Sequence, residues 1–422
     1  MVEQDDQWFP DTGALADDLA RESKRVLARR EIAHVELYHR MSRTLRVTHS
    51  RDGHVVAVRS GCDEGIALRT WDAHDSRLRF AAASGRTAEA IERVVDRALL
   101  SGAVGSVAPG DRCAREGPLV DHDEEVGLPD ADRLASWLAE AREAFAAADG
   151  GGAGPDRSWV EVASTWETWV GDGQVLGSRR RVRGWALLEV PMPEGAAAPL
   201  ILAARSWPDL DPGAWVRMRS EGLGVGRAGL EMPAGRLPVL FSPGASTTLV
   251  LALVRAVPPD GSRFEVGPGF RALDDPGEPG ALFGGVFDDL GFPTARTLVA
   301  DGRTMLTRLF GPGHYRRPSF RDAPVCLPAN LVVEPPEAPA PSTGLIVHRA
   351  AVHVLSPERW VLEVDGTWWS GGEPRRAIRG ARVPTGPHDL LSRCIAGVGA
   401  PLASYRGVRT PALLFDGLPV TP

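Results

Sequence analysis

Hydrophobic positions along this chain switch between two periods. From Thr12 to Arg30, Ala14, Leu15, Leu19, Val26 and Leu27 recur at helical spacing, and Asp11 stands where a cap belongs. The period then drops to two over Ala33–His49, where Val35, Leu37, Leu45 and Val47 mark strand positions. Arg51-Asp52-Gly53-His54 separates this run from the next, which predicts a hairpin. Strands are expected over Ile66–Trp71 and Leu78–Ala83. A second helix over Thr87–Leu100 follows, with Ile91, Val94, Val95 and Ala98 on one stripe. Helix, strands, then helix is an α+β order rather than a βαβ repeat.

Gly102–Pro129 reads as a loop, Asp130–Ala148 as an Ala-rich amphipathic helix, and Asp149–Pro155 as a glycine bend. Ser158–Ala204 is strand-like again, with Trp159, Trp166, Trp169 and Trp185 spaced along it, and Gly213–Leu230 is partly helical. Pro233–Pro238 marks a boundary between an N-terminal unit, 1–232, and a C-terminal unit, 237–422. The second unit opens with a strand over Val239–Ser242 and a helix over Thr247–Val257. Strands and long loops follow, among them a Pro-rich loop at Pro335–Pro341 before a strand over Gly344–Leu355. The expected class is α+β: an N-terminal α/β domain whose antiparallel sheet is flanked by helices, then a β-rich C-terminal domain.

Composition narrows the class. The 422 residues are 43% hydrophobic and 24% charged, so the chain can build ordinary globular cores. No apolar run approaches the roughly 18–20 residues of a membrane span. The start carries Glu3, Asp5 and Asp6 where a signal peptide needs basic and apolar stretches. A soluble, cytoplasmic protein is the expectation. Lys24 is the single lysine against 47 arginines and Asn330 the single asparagine, a skew expected of a GC-rich, actinobacterial-type coding sequence. Gly and Pro supply 82 of the 422 residues, which predicts many turns and irregular loops. The net charge of −7 argues against nucleic-acid binding, and the arginines in Arg179–Arg183 read as the outer end of a strand.

The local motifs for chemistry are weak. Cys62, Cys113, Cys326 and Cys394 are scattered without C-x-x-C spacing, which disfavours a disulfide framework or zinc knuckle. Gly224, Gly226 and Gly229 spell G-x-G-x-x-G, but no apolar strand leads into them and Met232-Pro233 ends any helix after them. His348 and His353 sit five apart on a strand and face opposite sides, so one metal cannot take both. Asp121-His122-Asp123-Glu124-Glu125 reads as a solvated acidic loop. Asp288-Asp289 offers either paired carboxylates for acid/base work or, more simply, a turn.

The larger pattern carries more. Asp288-Asp289-Leu-Gly291-Phe-Pro293-Thr294, then Thr297-Leu298 through Gly302, then Gly311-Pro-Gly313-His314-Tyr-Arg316-Arg317 and Pro328-Ala-Asn330, resembles blocks of the TldD/TldE (PmbA) family. So do Arg379-Gly380 through Gly399, the ending Pro411–Leu418, and the earlier Glu64–Arg69 with Ala81-Ala82-Ala83. The resemblance spans about 12–105 and 237–420. Zinc-bearing TldD-type members carry His-Glu-x-x-x-His on a helix and a downstream Cys; two imidazoles and a thiolate hold zinc, which acidifies its bound water. On the corresponding helix here those positions read Leu251, Ala252 and Ala256, and Ala400-Pro401 stands where the Cys belongs.

The resemblance therefore implies a TldE/PmbA-type subunit with no metal or other cofactor of its own. It implies a TldD-type, zinc-bearing partner and small or unfolded peptides as substrate, with neither nucleic acid nor membrane. Loops Pro258–Pro279 and Gly311–Pro328 become candidates to line a peptide chamber, whose backbone amides pair with an extended chain. Arg316 and Arg317 either hold a substrate carboxylate or partner loop or simply cover a surface edge. His314, Asn330 and Asp288 complete the candidate binding set. Two alternatives remain: a stand-alone hydrolase built around His314, Asp288 or Cys326, and a non-enzymatic peptide-binding regulator, for instance of a toxin–antitoxin or gyrase system. Maturation of a peptide natural product is a further possible setting.

Overall fold

The computed structural model of the chain describes residues 12–29, 31–73, 77–101, 119–122, 128–148, 155–191, 197–213, 234–257, 264–278, 281–290, 292–306, 309, 311, 313–317, 319, 321–322, 324–403 and 406–421. Asp11, the glycines at 224, 226 and 229, Asp123 to Glu125 and Cys113 lie outside the described residues.

The N-terminal unit is one sheet with helices on one side. Its strands are β1 (Ile32–His49), β2 (Val55–Asp72), β3 (Leu78–Ser84), β4 (Leu119–His122), β5 (Arg157–Gly171), β6 (Gln174–Pro191) and β7 (Ala197–Ala204). They run in the order β3-β2-β1-β5-β6-β4, with β7 also on β6, and every pairing is antiparallel except β4 on β6. Alternation decides the two faces. Val35 and Leu37 of β1, Ile66 and Leu68 of β2 and Val170 of β5 pack under α1 (Thr12–Leu27) and α2 (Ala88–Leu100). Val47, Val160, Val162, Val182 and Ala186 pack under α3 (Ala131–Ala148) through Leu134, Leu138 and Phe145. Thr87 caps α2 by accepting from the Ala90 N–H at 3.2 Å, and Asp130 accepts from the Arg133 N–H at 2.7 Å at the start of α3. The β5–β6 hairpin turns on Asp172 (φ 48°) and Gly173 (φ 81°), the Asp-Gly pair that tight hairpins favour.

The C-terminal unit is a longer mixed sheet. Its strands are β8 (Gly235–Phe241), β9 (Phe264–Glu265), β10 (Arg271–Asp274), β11 (Thr297–Asp301), β12 (Thr304–Met305), β15 (Leu331–Glu334), β16 (Thr343–Ser356), β17 (Arg359–Ser370), β18 (Glu373–Thr385), β19 (Cys394–Ala403) and β20 (Val408–Val420). The order is β18-β17-β16-β8-β20-β15-β10-β11-β12-β9, with β19 on β20; β13 (Tyr315–Arg316) and β14 (Val325–Cys326) pair separately. Two helices, α4 (Pro243–Ala256) and α5 (Pro387–Arg393), join the sheet's main core. Phe241 and Phe415 meet there edge to face at 5.3 Å.

This is the α+β arrangement expected from the sequence. Three details differ. The second N-terminal run is a single strand from Val55, because β2 pairs with β1 along its length although its first half carries exposed residues on both faces. A short strand, β4, lies inside the stretch read as a loop, added in parallel to β6. The arginines of 179–183 are not the outer end of a strand: they lie within β6, and Arg179 is 1% exposed because the other unit covers that face of the sheet.

Candidate functional site

The helix that resembles the family's metal helix is α4. Pro243 begins it where a missing N–H costs nothing, and the Ser246 hydroxyl donates to the Phe241 carbonyl at 2.9 Å and accepts from the Leu413 N–H, tying its first turn to β8 and β20. Leu249, Val250, Leu253 and Val254 enter the core. Leu251, Ala252 and Ala256 form part of the wall of a cavity of about 670 Å³. Val352 and Val354 of β16 and Trp360 of β17 supply more of the wall. Val354 and Trp360 are direct cross-strand partners. Among the described residues, the charged ones lining it are Arg255 and Arg406. Trp360 is buried, and its indole N–H has no hydrogen-bond partner among the described residues. A cavity of this size and apolarity with a few polar groups is the usual form of a small-ligand or peptide side-chain site.

This wall does not fit a zinc ion. Leucine and alanine side chains offer no ligand atom. Among the described residues no group of three or more His, Cys, Asp or Glu side chains converges as a metal site. Cys394 is buried beside α5 with its thiol pushed up to about 12 by burial, the opposite of the thiolate a metal needs.

The other chemistry-bearing residues gather where the C-terminal segment around Asp288 docks on the helix-free face of the N-terminal sheet. Glu167 accepts from the Tyr38 hydroxyl at 2.5 Å and from Arg179 Nε at 2.7 Å. Arg179 Nη2 donates to Asp289 Oδ1 at 2.5 Å, and the Arg317 N–H donates to Asp289 Oδ2 at 2.5 Å. The Trp169 indole N–H reaches the Asp289 carbonyl at 2.9 Å, and its ring meets Phe287 edge-on at 5.1 Å. Burial alone would raise the Asp289 carboxyl; the Arg179 guanidinium outweighs it and holds the group far below the ordinary range.

The sequence-nominated residues separate into three places. Leu251, Ala252 and Ala256 line the α4 cavity. Arg316 and Arg317 are buried at the interdomain contact: Arg316 donates to the Tyr315 carbonyl at 2.8 Å, and the Arg317 guanidinium lies 4.6 Å over the Tyr38 ring. Asp288 lies in the same docking segment, one oxygen accepting from the Leu290 and Phe292 N–H groups and the other from Gly313 and Tyr315, at 2.8–3.2 Å. Four amide donors leave that carboxylate little capacity to move a proton. His314 Nδ1 stands 3.4 Å from Asp274, whose carboxylate takes the Ala329 and Asn330 N–H groups; the Asn330 side chain donates to Glu278 at 2.6 Å. Cys326 accepts from the Gly311 N–H at 3.4 Å. Arg316, Arg317, Asp288, His314, Asn330 and Cys326 all lie away from the α4 cavity.

The sequence reading missed Arg255, Trp360, Val352, Val354 and Arg406. The alternation of Val352 and Val354 signalled one strand face, but nothing local showed that α4 crosses it. His348 is buried, with Nε2 2.9 Å from the Thr367 hydroxyl, whereas His353 is exposed beside Glu363; the pair is split as the strand spacing required.

No family model and no curated protein matches the sequence. Solved structures do match the fold. TldE from Thermococcus kodakarensis superposes with a TM-score of 0.74 at 14% identity, covering 97% of this chain and 100% of that one. A protein of Bacteroides thetaiotaomicron, named a candidate modulator of DNA gyrase, gives 0.68 at 14% identity over 98% and 99%. One from Thermotoga maritima with a similar name gives 0.64 at 15% identity over 96% and 100%. End to end, the chain has the fold of TldE, the fold its sequence blocks resemble.

Proposed function

We propose that this chain is a metal-free, TldE/PmbA-like subunit that binds peptide and works beside a zinc-bearing TldD-type paralogue in a heteromeric metallopeptidase acting on small or unfolded peptides. One observation carries the reading: Leu251, Ala252 and Ala256, at the positions the resemblance assigns to His, Glu and His, line an apolar cavity of about 670 Å³. The ligand atoms are gone while a ligand-sized space stands beside the helix. Such a chain binds and positions, and leaves bond cleavage to its partner.

Two structural relatives carry gyrase-modulator names. A non-enzymatic regulator that grips a protein segment in the same cavity is the second reading. Metal analysis and peptide-cleavage assays on the purified chain, alone and co-expressed with a His-Glu-x-x-x-His paralogue, separate the two. The first reading expects no stoichiometric zinc in the chain alone and chelator-sensitive cleavage only by the co-purified pair. One equivalent of zinc in the isolated chain, or cleavage by it unaffected by chelators, sinks that reading. A chain that binds peptide but never co-purifies with the paralogue favours the second.

A further inference from the structure

We infer that the α4 cavity recognises the C-terminal end of an extended peptide, taking an apolar side chain against Leu251, Ala252, Val352, Val354 and Trp360 and its terminal carboxylate at Arg255. The inference deepens the peptide-binding reading and rests on it. Three independent features point to that ligand.

The first is charge. Among the described residues that line the cavity, the charged ones, Arg255 and Arg406, are both cationic. Arg255 is exposed in the last turn of α4. A guanidinium is the side chain best shaped to take a carboxylate through two parallel N–H donors. Among the described residues of the cavity wall none is acidic.

The second is the apolar wall: Leu251, Ala252, Val257, Val352, Val354 and Trp360 form a socket for an uncharged, apolar side chain.

The third distinguishes a peptide from another apolar acid such as a fatty acid. β16 pairs with β17 from Thr343 to Ser356, but β8 covers its other edge only at Leu345–Val347. Among the described residues no strand is hydrogen-bonded to that edge from Arg349 to Ser356. Val354 and Leu355 there are 61% and 64% exposed. An open edge next to an apolar pocket offers main-chain pairing and a side-chain socket together, which an extended chain uses and an alkyl chain cannot.

The test is isothermal titration of the purified full chain with an N-acetylated apolar tetrapeptide, as the free acid and as the C-terminal amide, and with decanoate. The free acid should bind at least tenfold more tightly than the amide. Arg255→Gln, a substitution at an exposed position, should bring the free-acid affinity down to that of the amide. Ala256→Trp, which fills the cavity, should abolish binding of both while circular dichroism shows a folded chain. Equal affinity for acid and amide, indifference to Arg255→Gln, no binding of either peptide, or binding of decanoate alone would each overturn the inference. Because the titration uses the zinc-free chain without a paralogue, its failure leaves the subunit reading to its own metal and cleavage measurements.

Discussion

Arg179 and Asp289, 110 positions apart in the chain, meet at 2.5 Å in the contact between the two units, and the same guanidinium also holds Glu167. One arginine thus bridges a carboxylate from each unit at a site closed to water. Replacing Arg179 by Met removes the guanidinium that both buried carboxylates share, and breaking such a pair costs about 3–5 kcal/mol. Chemical denaturation of Arg179→Met should show a loss of that size. A loss below 1 kcal/mol would mean the network does not hold the units together.

The exposed bridge between Arg321 and Asp63 spans the same two units, with both oxygens 2.9 Å from the guanidinium. Solvent screens it, and holding two mobile side chains in one geometry offsets the attraction. Arg321→Ala should therefore leave the denaturation midpoint nearly unmoved, in contrast to Arg179→Met. Comparable midpoint losses in the two variants would contradict the burial argument.

His348 makes stability depend on pH. Burial in β16 pushes its imidazole down to about 4 from an ordinary value of 6.5. Between those values the unfolded chain binds a proton that the folded chain refuses, so stability rises with pH there. The contribution is complete above pH 6.5 and is lost as pH falls toward 4, about 3 kcal/mol in all. His348→Gln should flatten the stability profile between pH 4 and 6.5. An NMR titration placing His348 at 6.5 in the folded protein would refute this.

Gly366 in β17 lies against β16 so closely that an added Cβ would stand 2.1 Å from the Ile346 carbonyl oxygen. The β16–β17 ladder shifts register next to it, between Val347 and Arg349. Gly366→Ala should destabilise the C-terminal unit by about 1–3 kcal/mol, the usual cost of overpacking, measured by urea unfolding. An unchanged midpoint would show that the strands separate freely.

Cysteine labelling reads the same burial. Cys62 is exposed and Cys394 is buried with its thiol pushed up to about 12. Native-state alkylation followed by mass spectrometry should modify Cys62 and spare Cys394 until denaturant is added. Early labelling of Cys394 would mean that the packing of α5 against β19 opens readily.

Much of the fold was legible locally. The helices α1, α2 and α3, the β1–β2 hairpin with its Asp-Gly turn and the tryptophan-bearing β5 and β6 all followed from hydrophobic period and turn chemistry. Period reports which face a residue takes, not what covers that face. This is why Arg179 and Arg181 of β6 read as part of the outer end of a strand when a second unit buries them. It is also why Asp288 and Asp289 offered only the choice between paired acids and a turn. The structure gives them different tasks: Asp288 gathers four amides and Asp289 takes Arg179.

The sequence by itself determined the α+β class, the resemblance in its blocks and the loss of every ligand atom at Leu251, Ala252 and Ala256, because these depend on residue types and their order. Only the tertiary structure decided that these three residues face a cavity shared with Val354, Trp360 and Arg255, and that Arg316 and Arg317 lie buried elsewhere. Strand β16 lies about a hundred residues beyond α4 in the chain. No local pattern encodes which helix crosses which strand, since that choice is made by the packing of whole faces against one another.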